Sequence, residues 1–110
     1  MKDFIIIFRE PDGRTIDHSK RETEKHQEDW KIWIEKWKGK LKDGSSLKLN
    51  GKMIQGADKK IVNDIHKVGK EIVGGFLLLE AEDLSEASRI VASCPIFDFE
   101  GYAEIRERQN

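Results

Sequence analysis

His26 is the side chain whose setting most suggests chemistry. It lies on one stripe with Trp30, Trp33, Trp37 and Leu41, at steps of four, three, four and four, the spacing of an amphipathic helix face. A histidine on an apolar stripe has two readings. It is a hydrogen-bonded residue at the edge of a core, or an acid or base in a cleft, because imidazole titrates near neutral pH. Asp64 and His66 are two apart and share a face if their segment is a strand. Asp64 would then orient His26 in a carboxylate–imidazole dyad. The competing reading is a turn, since Asn63-Asp64 runs into Lys67-Val68-Gly69-Lys70 and both residues favour turns. Trp30, one turn from His26, would supply an aromatic wall.

Other chemistries fit less well. His18, His26 and His66 lack the short spacing of zinc ligands, so no metal is expected, and no cofactor motif is found. The three tryptophans with Lys31, Lys38, Lys40 and Lys42 resemble a single-strand binder, but the tryptophans occupy the stripe that must pack on a sheet. Gly74-Gly75 precedes a strand rather than a helix, so no helix N-terminus is there to hold a phosphate. A bulge or close sheet packing is the expectation. Cys94 precedes Pro95 at the end of a helix, where the dipole disfavours a thiolate, and reads as a packing residue.

The 110 residues carry 37% charged side chains and a net charge of −1. That balance excludes a general nucleic-acid binder, which needs a basic excess, and a polybasic membrane anchor. No run reaches transmembrane length, and Phe4 to Phe8 is too short for a signal peptide. A single cysteine suits a reducing cytoplasm. The chain reads as one domain, residues 1–110.

The elements follow from periodicity. Phe4 to Phe8 is continuously apolar, a central strand buried on both faces. Glu10 to Lys20 is a polar loop. Ser19 and Glu22 are spaced as a capping box, so a long helix starts near Lys20 or Arg21 and runs to the Asp43-Gly44 turn. Strands are expected at Leu47–Ile54, Lys60–His66 and Glu71–Ala81. Asp83 and Glu86 repeat the capping-box spacing before a helix with Leu84, Ala87, Ile90 and Val91 on its buried face. Pro95 ends it, and Tyr102–Glu107 is the last strand. The order β-α-β-β-β-α-β matches an α+β, ferredoxin-like antiparallel sheet with both helices on one face. FIIIF and FLLL place large apolar groups on both faces of that sheet. No helix is left to cover the second face, so a second copy is expected there, as a homodimer with sheets packed into a dimeric α/β barrel.

The run Lys70-Glu71-Ile72-Val73-Gly74-Gly75-Phe76 resembles the KE-x-x-GG-aromatic segment of the YCII-related, or DGPF-domain, family. Glu82-Asp83-Leu84-Ser85-Glu86-Ala87, Cys94-Pro95 and the closing strand near Arg106 are also similar to it. The resemblance covers most of the chain. It implies a dimeric α+β barrel with a pocket at the sheet face, where a helix histidine and a strand aspartate form a proposed site. His26 matches the histidine. Asn63-Asp64-Ile65-His66 stands where the family carries Asp-Gly-Pro-Phe, so either Asn63 or Asp64 takes the aspartate position. Some relatives resemble dehalogenating lyases; others are linked to sigma-factor systems. The expected function is a small organic molecule bound in a cleft by a homodimer. His26 and Asp64 would be catalytic, with Trp30, Asn63 and His66 as ligand contacts, in cofactor-free lyase- or isomerase-type chemistry. The alternative is a non-catalytic regulatory or interaction module that keeps the fold without the signature site.

Overall fold

The computed structural model describes residues 1–13 and 18–109. Six strands and two α-helices follow in the order β1 (Lys2–Pro11), α1 (Lys20–Trp37), β2 (Leu41–Ser46), β3 (Met53–Gln55), β4 (Lys60–Val62), β5 (Glu71–Ala81), α2 (Leu84–Ala92) and β6 (Tyr102–Glu107). A short 3₁₀ turn, Pro95–Phe99, sits between α2 and β6. β2, β5, β1 and β6 lie side by side in that order, every neighbouring pair antiparallel. This is a ferredoxin-like α+β antiparallel sheet.

β1 and β5 supply the centre. Phe4, Ile6 and Phe8 alternate inward, opposite Leu79, Leu77 and Gly75. Trp33 from α1 and Ala87, Ile90 and Val91 from α2 pack on that same face, so both helices share it. The Trp33 indole Nε1–H donates to Ser93 Oγ at 3.0 Å, tying α1 to the end of α2. Ala103 and Ile105 of β6 complete the layer. The opposite face carries Ile5 paired with Leu78 and Ile7 paired with Phe76, all half-buried. The continuous apolar runs therefore do place large groups on both faces.

The residues between 37 and 66 depart from expectation. α1 does begin at Lys20 with a complete Ser19–Glu22 capping box, but it stops at Trp37 rather than at Gly44. Gly39 is a poor helix former, and the chain turns there, with Lys40 N–H donating to the Trp37 carbonyl at 2.8 Å. Leu41, which fits the helical stripe, instead pairs with Leu79 in β2. β2 is an edge strand of sequence LKDGSS, with no apolar alternation to betray it. Gly44 is required there, because a Cβ would meet Leu77 Cδ2 at 2.6 Å and the Phe76 carbonyl at 2.9 Å. The two strands expected over 47–54 and 60–66 shrink to a hairpin of two three-residue strands, β3–β4, in a sheet of its own.

Three smaller differences remain. β1 extends through Glu10 and Pro11, expected in a loop; residues 14–17 of that loop lie outside the described residues. Leu84 is exposed rather than buried. Asp83 caps α2 through the Glu86 N–H at 2.8 Å, but the Glu86 side chain accepts from Glu82 N–H and Lys40 instead of closing the box.

Candidate functional site

A cavity of about 640 Å³ opens between α1 and the β1–β5–β2 part of the sheet, within the usual range of ligand pockets. It lies on the helix-bearing face. Phe8, Trp30, Ile34, Leu41, Leu77 and Ile96 give it apolar walls, and Glu10, His26 and Gln27 stand together in its lining. Phe8 and Trp30 meet edge to face with centroids 5.4 Å apart. Trp30 packs edge to face on the buried Trp33, which holds its ring in place.

His26 is bonded at both ring nitrogens. The Trp30 indole Nε1–H donates to Nε2 at 3.0 Å. Since an indole N–H can only donate, Nε2 is the bare nitrogen of the neutral ring. Nδ1 therefore carries the proton and donates to Asp98 Oδ2 at 3.2 Å. The 3₁₀ turn that holds Asp98 also presents Phe99, whose ring lies 4.6 Å from that of His26 and stacks on His18 at 3.9 Å. His26 is thus a cavity-wall histidine with a fixed tautomer and a carboxylate at its back.

Glu10 is the second ionisable group beside it. It continues the inward face of Phe4, Ile6 and Phe8. Burial pushes its carboxyl above the usual glutamate value, with His26 partly opposing the shift. Among the described residues no hydrogen bond or ion pair holds this carboxylate. It occupies a notch made by Gly74, where a Cβ would run into the carboxylate. Gly74 is the bulged residue of β5: Phe8 pairs with Gly75 and Arg9 with Val73, leaving Gly74 unopposed. The bulge expected at the glycine pair is thus present, and its effect is to seat Glu10.

Of the residues singled out from sequence, His26 and Trp30 share the cavity wall and touch. Asn63, Asp64 and His66 follow β4 and do not line the cavity. Asp64 Oδ1 accepts from Ile65 N–H at 2.8 Å, and the carboxylate in reach of His26 is Asp98. Glu10 and Asp98 went unnoticed. Glu10 was legible as the next even-numbered position after Phe4, Ile6 and Phe8, but Pro11-Asp12-Gly13 hid it by reading as a loop. Asp98 had no signal, because a 3₁₀ turn carries no long period. Cys94 is buried, and burial pushes its thiol up to about 11, as a packing residue requires. Among the described residues no group of three His, Cys, Asp or Glu is gathered as a metal site, and no helix is long and apolar enough to cross a membrane.

No family model matches the chain, and no curated protein matches it. Among solved structures it is similar to 5-chloro-2-hydroxyhydroquinone dehydrochlorinase (TftG) from Burkholderia phenoliruptrix AC1100, in complex with 2,5-dihydroxybenzoquinone. The TM-score is 0.54 at 16% identity, covering 96% of this chain and 93% of that one. The likeness is one of fold.

Proposed function

We propose that the chain is a YCII-like cytoplasmic protein of one domain, and that it acts as a homodimer binding a small organic molecule in the cavity under α1. The observation that carries this reading is the cavity itself: apolar walls of Phe8, Trp30, Leu77 and Ile96, with His26 set among them in one tautomer. A structural neighbour that holds a ring-sized ligand supports it. In this reading His26 is the base of a cofactor-free proton transfer, and Asp98 takes the orienting role that the sequence suggested for Asp64. The Trp30 N–H must yield Nε2 to the substrate. The C–H bond then breaks, the proton passes to Nε2, and the electron pair stays on the substrate for elimination or isomerisation. The Nδ1–H···Asp98 contact stabilises the imidazolium that forms.

The test is hydrogen–deuterium exchange at carbon. Ring-sized carbonyl compounds that bind the protein are incubated with it in D₂O. The proposal expects catalysed exchange that His26→Gln abolishes without abolishing binding. Binding without exchange would favour the alternative, a non-catalytic module, for which the engagement of both His26 nitrogens is the supporting observation.

A further inference from the structure

We propose that this cavity selects a small organic cation, an amine on an apolar or aromatic body, with Glu10 as its counter-ion. The inference rests on the reading of the cavity as a ligand site and adds the ligand's charge. It starts from the state of Glu10. Half-burial takes part of the water from this carboxylate, a loss that a partner would offset, and none of the described residues hydrogen-bonds or ion-pairs with it. The protein has made room for it, since Gly74 lacks the Cβ that would displace it.

The remaining charges of the wall do not neutralise it. Lys38 is engaged by Glu35 at 2.7 Å, and Lys42 by Glu80 at 3.5 Å. Asp43, also in the lining, accepts from Gly44 N–H and adds a second negative charge. From α1 the groups in the lining beside Glu10 are Gln27 and His26, and the His26 Nδ1–H is directed at Asp98 rather than at Glu10. The uncompensated charge of the cavity is therefore negative. An ammonium supplies the missing partner, and the aromatic rings of Phe8 and Trp30 are suited to the body and the cation alike. Burial raises the Glu10 carboxyl, and His26 offsets that rise only in part.

The test uses three probes of one shape, benzylamine, benzyl alcohol and phenylacetate, titrated into the full chain at about pH 7.5, where the amine is charged. Benzylamine is expected to bind about tenfold tighter than benzyl alcohol, with phenylacetate weakest. Glu10→Gln should reduce benzylamine to the level of the alcohol. Gly74→Ala keeps the charge but pushes the carboxylate from its notch, so it should weaken benzylamine and spare the alcohol; it decides the matter if Glu10→Gln fails to fold. Acidification through the Glu10 titration should weaken benzylamine alone. Equal affinity for amine and alcohol, or a preference for phenylacetate, overturns the charge assignment and leaves the cavity reading standing. Failure of all three probes to bind overturns both.

Discussion

Glu10 and His26 share one wall and are treated oppositely by the fold. His26 has a partner on each nitrogen, while no described residue bonds Glu10. This difference has a thermodynamic consequence. The Glu10 carboxyl is raised above 4.5 by burial, so between its unfolded and folded titrations the native state holds more protons than the unfolded chain. Stability must then fall as pH rises through that window, and stay lower at neutral pH. Glu10→Gln is expected to stabilise the protein by about 0.5–2 kcal/mol at neutral pH, as removal of a half-buried site carboxylate often does. Below pH 4, where the parent carboxyl is protonated in both states, the gain should vanish. Denaturant titrations at the two pH values check it. His26→Leu should act the other way, because it strands the Trp30 indole N–H; the expected loss is about 1–3 kcal/mol. At this scale the sequence was a fair guide to His26 and Trp30, which sit on a clear helical period. It was a poor one to Asp98, whose position depends on how a 3₁₀ turn folds back onto α1.

Elements with a strong local signal were readable, and those defined by pairing were not. The Ser19–Glu22 box announces α1 and is present. Ser19→Ala should cost about 0.5–2 kcal/mol, measurable by chemical denaturation, and a cost near zero would mean that packing of Trp33 alone fixes the helix start. β1 and β5 were evident from continuous apolar runs. β2 was invisible, because LKDGSS has neither alternation nor β-branched residues and is a strand only through its hydrogen bonds to β5. Its concealment mattered to the site. Reading Leu41 as the last turn of α1 closes the space that β2 in fact bounds, with Leu41 through Ser46 forming one side of the cavity.

For the whole molecule, the exposed sheet face and the hairpin set the terms. Ile5, Ile7, Phe76 and Leu78 form an apolar surface opposite the helices, bordered by the Arg9–Glu104 pair at 3.2 Å. The β3–β4 hairpin carries exposed Ile54 and Ile61 and contributes to a radius of gyration of 15.5 Å, against about 13 Å for a chain of this length. Both features suit a subunit that packs on a copy of itself. Light scattering is expected to give twice the 12.7 kDa chain mass. Ile7→Lys, at the centre of that face, should yield a monomer that keeps its helical circular dichroism. A parent protein that is monomeric at micromolar concentration would contradict the pairing. The fold was legible at this scale because burial on both faces of a sheet is written directly in FIIIF and FLLL; the projecting hairpin was not, since its strands are three residues each.

The central claim, that the space under α1 is a ligand site, is tested most directly by the indole N–H resonances of the three tryptophans during titration with a library of ring-sized compounds. The Trp30 N–H lies in the cavity wall on His26 Nε2, while the Trp33 N–H is bonded to Ser93 in the core and serves as an internal reference. The account predicts compounds that shift Trp30 saturably and leave Trp33 in place. A library that never moves Trp30, or moves it only together with Trp33, would contradict it.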